Sequence, residues 1–150
     1  IIGIQPRGKL LSIKLKDLIE KNYKTPKINI GFLDITFFRD DFGRDNKILS
    51  ANKTSINFIV EDKVVILVDD VLYTGRSIRS ALTALQSFGR PKKVELLTLV
   101  DRRFSRHLPI QPDYCGIQVD SINNQRLTVK WKDIDGEDAV YIYRKNEKNT

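Results

Sequence analysis

Methionine is absent from this 150-residue chain, and cysteine, histidine and tryptophan occur once each, as Cys115, His107 and Trp131. A single cysteine excludes an internal disulfide framework and fits a reducing cytoplasm. With one cysteine and one histidine there is no His/Cys set at metal-ligand spacing. No apolar stretch approaches the roughly 18 residues of a membrane span, and no secretory pattern is visible. Neither G-x-x-x-x-G-K-[ST] nor G-x-G-x-x-G occurs, which excludes the Walker-type and dinucleotide-type phosphate loops. Cys115 is expected to be a buried, inert thiol. His107 is read as a surface residue and Trp131 as a packing residue.

What is present is ordinary for a soluble domain: 41% hydrophobic and 30% charged residues. The length suits one domain over 1–150 with a substantial core. The chain opens directly on the apolar segment "IIGIQPRG", so a further N-terminal portion is expected to precede it. A net charge of +7 favours anionic partners such as phosphorylated substrates or nucleic acid. Short basic clusters, "RPKK", "DRRFSRH" and "YRKNEK", read as solvated faces.

Ile1–Ile4 is a short apolar run, and Pro6 and Gly8 punctuate a loop after it. From Lys9 to Asn22, Leu11, Leu15, Leu18 and Ile19 fall on one helical face. Residues 27–38 alternate well enough for a strand, and 39–55 is the longest loop candidate. "KVVILVDD" (63–70) is a continuous apolar run of the kind buried on both faces of a parallel sheet. Helical spacing returns at Ile78, Ala81, Leu82, Leu85 and Phe88, stopped by Gly89 and Pro91. "KVELLTLV" (93–100) completes a βαβ unit. Two further strand-like stretches follow at 126–131 and 138–144. The fold class is α/β, a mainly parallel sheet flanked by helices, with a small C-terminal subdomain.

The segment "VILVDDVLYTGRS" (65–77) carries the chemistry. In an open α/β sheet, ligands bind beyond the carboxyl ends of the strands, and Asp69 and Asp70 stand at such an end. The following loop leads into a helix whose N-terminus suits a phosphate. Gly75 permits close backbone approach, and Thr74 and Ser77 add hydroxyl donors. The two carboxylates would accept hydrogen bonds from sugar hydroxyls or hold a hydrated Mg²⁺. A ribose 5-phosphate lying across the loop satisfies every group.

This segment resembles the phosphoribosyl pyrophosphate (PRPP) signature of type I phosphoribosyltransferases. Over nearly the whole chain the resemblance extends to the PyrR family of pyrimidine-operon attenuators that are also uracil phosphoribosyltransferases. It runs through "GIQPRG", "DITFFRDD", "DDVLYTGRS", "FGRP", "LVDRR", "LPIQPDYCG" and "DAVYIYRKNE". It implies a type I phosphoribosyltransferase-like sheet with a C-terminal hood, less the N-terminal helix that members usually carry. The implied reaction converts uracil and PRPP to UMP and pyrophosphate with Mg²⁺, in pyrimidine salvage. PRPP would be bound by Pro6, Arg7, Gly8, Asp69, Asp70, Val71, Leu72, Tyr73, Thr74, Gly75, Arg76 and Ser77. Within that set, Leu72 to Ser77 would wrap the 5-phosphate. Asp69, Asp70 and Arg7 would be catalytic, the two aspartates would meet Mg²⁺ directly or indirectly, and Arg7 would grip the pyrophosphate. Residues 39–55 would form a flap excluding water, with Arg39, Asp40 and Asp41 at its base. Asp101 and Arg102 would edge the base pocket, and a hood at 113–127 would read uracil around Ile117 to Val119, with Ile117 and Val119 as base contacts.

Two rival readings stand beside this one. An attenuator could bind an mRNA leader under UMP or PRPP control and catalyse weakly, with Arg102, Arg103 and Arg106 on its basic face. A phosphoribosyltransferase for a purine or orotate is the other. Against a purine, the position where purine-using relatives place an acid, three residues after the second aspartate, holds Tyr73. The family resemblance also implies association into dimers or larger homo-oligomers.

Overall fold

The computed structural model describes residues 1–41, 51–121 and 125–144. Five parallel strands form the central sheet: β1 (Ile2–Ile4), β2 (Gly31–Leu33), β3 (Val64–Leu72), β4 (Lys93–Arg103) and β5 (Tyr114–Asp120). Their order is β2-β1-β3-β4-β5. Helix α1 (Arg7–Asn22) joins β1 to β2, and α2 (Arg76–Leu85) joins β3 to β4. An antiparallel hairpin of β6 (Gln125–Lys130) and β7 (Ala139–Arg144), linked through the short α3 (Lys132–Asp135), forms a second, two-stranded sheet.

The strands alternate their burial between two helical layers. Val65 and Leu67 of β3 pack with Ile2, Ile4 and Leu33 under Ile78, Ala81, Ala84 and Leu85 of α2. Ile66 and Val68 face the other way, into a cluster with Leu11 of α1, Val100, Val129 and Trp131. Val68, Leu67, Ala81 and Val100 are fully buried. This two-sided burial is why β3 and β4 read as unbroken apolar runs.

The alternation slips at Asp70. Beyond it, Val71 joins the α1 cluster and Leu72 the α2 cluster, the reverse of the pattern upstream. The registers pair Asp69 with Thr98 and then Val71 with Val100, and likewise Thr98 with Cys115 and then Val100 with Ile117. Asp70, Leu99 and Gly116 thus mark one kink crossing three strands. Gly116 is required there, because a Cβ would stand 2.7 Å from the Leu99 carbonyl oxygen.

Several sequence expectations change. "QPRG" is no loop: Pro6 is the N-cap of α1, the Gln5–Pro6 peptide is cis, and Arg7 and Gly8 lie in the first turn. Proline and glycine are punctuation in most chains, but here proline suits a helix start and glycine a close contact. The expected strand at 27–38 shrinks to Gly31–Leu33, since its partner β1 offers only three residues to pair. Thr36–Phe38 form a 3₁₀ turn instead. Residues 114–120, expected in a hood, are the edge strand β5; the hairpin of β6 and β7 takes the hood position. Cys115 lies on that edge and is exposed, not buried. Trp131 is buried, and His107 is exposed, as expected. Of the 39–55 loop, residues 42–50 lie outside the described residues.

Candidate active site

The strand order reverses between β1 and β3, so the sheet's crevice opens beyond their carboxyl ends. β1 delivers Gln5, Pro6 and Arg7 to that crevice, and β3 delivers Asp69 and Asp70. Two glycines let the elements close up. A Cβ on Gly3 would stand 2.7 Å from the Gly8 carbonyl oxygen, and one on Gly8 would run into the Val68 carbonyl oxygen.

Two adjoining cavities share Asp69, Val71, Ser77 and Arg39 along their walls. One, of about 250 Å³, is lined by Tyr73 to Ser77 together with Asp40 and Asp41. The other, of about 400 Å³, is lined by Pro6, Arg7, Asp34, Thr36 and Asp70. The structure thus brings together Pro6, Arg7, Asp69, Asp70 and the 71–77 segment around one cleft. Gly8 serves it from behind, as the packing contact that seats α1.

The aspartates hold their own turn of backbone. Asp69 Oδ1 accepts the Asp70 N–H at 3.0 Å, and Asp70 Oδ1 accepts the Val71 N–H at 2.8 Å. These bonds serve amides at the kink, where the ladder passes over Asp70. Desolvation, and then the neighbouring Asp70 charge, push the Asp69 carboxyl well above the ordinary aspartate range. Asp70 is also raised by burial, against opposing backbone bonds and the Arg7 charge. Two adjacent carboxylates crowded this way favour a ligand that donates hydrogen bonds or carries positive charge. Among the described residues no group of three or more His, Cys, Asp or Glu is placed to hold a metal. Mg²⁺, however, is commonly held by one or two carboxylates together with water and substrate phosphates, and Asp69 and Asp70 fit that mode.

Opposite Arg7 the cleft is walled by a tight turn into α2. Gly75 is its N-cap at φ +90°, a left-handed conformation natural to glycine. Thr74 Oγ1 accepts the Arg76 N–H at 3.3 Å. Asp40 accepts from Arg76 at 2.7 Å and from Arg79 at 3.0 Å, and Arg76 Nε also donates to His107 Nδ1 at 3.3 Å. Asp40 was legible as a flap-base residue; Arg79 was not, because it reads as one more exposed helix position.

Arg7 faces the cleft from α1 but is also tied to the hairpin subdomain. Its Nη1 donates to Asp135 at 3.1 Å and to the Val129 carbonyl at 3.3 Å. Asp135 in turn accepts the Trp131 N–H at 2.8 Å.

The four residues expected around the base have different surroundings. Asp101 and Arg102 are buried, with 4% and 8% exposure. Arg102 donates to Ser121 Oγ at 2.8 Å and to the Gln125 carbonyl at 3.0 Å, and it stacks 4.1 Å from the centre of the Tyr73 ring. Asp101 is ion-paired with Arg106. Ile117 is exposed on β5, whereas Val119 packs on the Val100–Trp131 cluster. Arg102 therefore meets Tyr73 directly and Asp101 reaches the 73–77 turn through Arg106, while Ile117 and Val119 lie one strand further out. Sequence reasoning missed Arg106 as part of the site, because its role depends on a turn that brings it back over β3.

Residues 1–133 match the family model described as a phosphoribosyl transferase domain. A "Bifunctional protein PyrR" of Desulfosudis oleivorans is 48% identical over 143 residues, 95% of this chain and 78% of that protein. One of Acetivibrio thermocellus is 44% identical, over 95% of this chain and 76% of its own. Among solved structures, the hypoxanthine phosphoribosyltransferase of Trypanosoma cruzi has a TM-score of 0.63 at 16% identity, covering 95% of this chain and 74% of that one. That of Staphylococcus aureus has a TM-score of 0.60 at 22% identity, covering 97% and 76%. At these identities the structures speak for the type I phosphoribosyltransferase fold alone. The relatives speak for more: this chain belongs to the PyrR family, built on a phosphoribosyl transferase domain.

Proposed function

We propose that the chain is a uracil phosphoribosyltransferase, joining uracil to the ribosyl group of PRPP to give UMP and pyrophosphate. The observation that carries the reading is the Asp69–Asp70 pair near the end of β3, beside the cavity of about 250 Å³ lined by residues 73–77.

In this reading the 5-phosphate lies against the turn from Tyr73 to Ser77 and the positive end of α2. Asp69 and Asp70 accept the ribose hydroxyls, which relieves the crowding of two carboxylates. Breaking the C1–O bond leaves positive charge on the sugar and negative charge on pyrophosphate, while uracil N1 bonds to C1 and gives up its proton to the departing pyrophosphate or to water. Arg7 is the cation placed to meet the leaving group. When bound with PRPP, Mg²⁺ supplies further charge neutralisation at the phosphates, and Asp69 and Asp70 would hold it directly or through water. Tyr73, pinned by Arg102, presents a neutral phenol where a purine ring would need an acid.

The regulatory reading, binding of a pyrimidine-operon mRNA leader under UMP or PRPP control, is favoured by the net charge of +7 and by the bifunctional name of the relatives. A cytoplasmic, homo-oligomeric protein suits both readings. Among the described residues no helix is long and apolar enough to cross a membrane.

The deciding experiment is PRPP-dependent turnover assayed across uracil, orotate, hypoxanthine and guanine. Release of pyrophosphate with uracil alone is expected. Turnover with a purine or orotate in preference to uracil overturns the substrate assignment.

A further inference from the structure

Arg106 lies outside the cleft, on the turn after β4, yet it donates to four acceptors at once. Its Nη1 meets the Tyr73 carbonyl at 2.6 Å and the Arg102 carbonyl at 3.3 Å, and its Nε meets the Ile110 carbonyl at 2.8 Å. Its Nη2 is ion-paired with Asp101, whose side chain is 5% exposed. The next two residues continue the contact: the N–H groups of His107 and Leu108 donate to the Thr74 carbonyl at 2.9 and 3.3 Å.

Two consecutive carbonyls of the phosphate turn, those of Tyr73 and Thr74, are thereby drawn to the side of the turn held by residues 106–108. In a trans peptide the N–H points opposite to the C=O. The N–H groups of Thr74 and Gly75 are therefore turned the other way, toward the cavity lined by both residues. Among the described residues neither N–H has an acceptor in the protein. Successive free N–H groups of this kind form an anion-binding concavity.

We infer that Arg106, anchored by Asp101, is a positioning residue for the reaction: it sets the peptide planes of the phosphate turn so that the Thr74 and Gly75 amides face the 5-phosphate. The inference rests on the proposed use of PRPP. A guanidinium suits the task because its donors diverge in one plane toward carbonyls on three segments, which an ammonium cannot reach together. Burial of the Asp101 partner keeps the guanidinium in one orientation. Arg106 reaches the turn through backbone carbonyls and touches the expected base edge only through Asp101, so the larger effect falls on PRPP.

The test is steady-state kinetics of the full chain with Arg106→Ala, Arg106→Lys and, as a charge-matched control, Lys92→Ala at the exposed position just before β4. Arg106→Ala is expected to raise the KM for PRPP by about ten- to a hundredfold, the loss typical of hydrogen bonds from a charged group. The KM for uracil should stay within about twofold, and millimolar guanidinium should restore part of the lost PRPP affinity. Arg106→Lys should fall between, and it serves as the test if the alanine variant does not fold. An unchanged KM for PRPP in the variant that folds, or an equal rise for both substrates, overturns the role of Arg106. Absence of PRPP turnover in the unaltered chain overturns the reaction itself, which is a separate result.

Discussion

Gly8 lies directly against the carbonyl oxygen of Val68, with a Cβ at that position also 3.1 Å from the Asp69 Cα. The first turn of α1 is thus seated on β3 one residue before the Asp69–Asp70 pair, and Arg7 is carried with it. Gly8→Ala should force the helix off the strand and destabilise the protein by about 1–3 kcal/mol, the usual cost of overpacking. Chemical denaturation measures the loss. PRPP binding should weaken with it, because Arg7 shares the displaced turn. A variant as stable as the parent would mean that α1 yields at no cost.

Asp69 and Asp70 give the ligand-free protein a pH-dependent contribution opposite in sign to that of its ion-paired surface carboxylates. Both carboxyls titrate above their ordinary value of 3.8 in the folded chain. Between that value and the raised one, the folded state holds protons that the unfolded chain has released. The contribution of the pair to stability therefore falls as pH rises through this window. Asp69→Asn removes the charge and keeps an oxygen to accept the Asp70 N–H. Its Tm at pH 7 should equal or exceed that of the parent, with a flatter dependence on pH, while PRPP turnover is lost. A lower Tm at pH 7 would show that the charged form of Asp69 is an asset to the fold.

Arg7 is shared between the cleft and Asp135. Arg7→Ala should weaken PRPP and pyrophosphate much more than UMP, which lacks the group that Arg7 contacts. Removing a charge-assisted bond to phosphate costs about 1.5–3 kcal/mol, or roughly ten- to a hundredfold in affinity. Isothermal titration with the three ligands separates the outcomes. Equal loss for all three would move Arg7 from the leaving group to the shape of the cleft.

The part of this site legible in the sequence was the part built from adjacent residues. The apolar run of β3, the Asp pair at its end and the glycine before α2 are local signals, and each stands where the spacing put it. β5 was missed because "YCGIQVD" has no apolar run. As an edge strand, it buries little of either face, so its composition looks like a loop. α1 was started two residues late because Pro6 and Gly8 carry opposite meanings in a loop and at a tightly packed helix start. Arg79 left no signal, and Arg106 was read only as part of a basic face for RNA. Their partners lie 33 and 39 residues away, and only the closed turn after β4 and the flap base bring them to the phosphate side.

The sequence reads Gly75 as the residue that lets the backbone approach an anion, so a side chain facing the cleft would block it. Its Cβ would instead point at Ile110, 3.3 Å from the Cδ1, on the side away from the cleft. The cost of Gly75→Ala lies in the backbone, since φ +90° disfavours any L-residue. About 1–2 kcal/mol of stability should be lost, and PRPP affinity should fall as the turn relaxes toward negative φ. Thermal denaturation with and without PRPP reads both; an unchanged Tm would show that the turn holds alanine without strain.

The basic face expected for RNA is smaller in the folded chain than in the sequence. Arg102 is buried and committed to Ser121, Gln125 and Tyr73, and Arg106 is committed to four acceptors. Of the three arginines in that stretch, Arg103 is the one with an exposed side chain, 45% accessible and paired at the surface with Asp120. Each phosphate contact contributes close to one unit to the slope of log affinity against log salt, about 0.7 for single strands. Titration of a pyrimidine-operon leader RNA at a series of salt concentrations, with and without UMP, should therefore show a slope that Arg103→Ala lowers by about one contact's share. Arg102→Ala should lower the Tm and leave the slope alone. The reverse pattern, with Arg102 carrying the salt dependence and Arg103 none, would mean that the leader binds by opening the Arg102–Tyr73 stack, placing RNA binding in direct competition with the catalytic cleft.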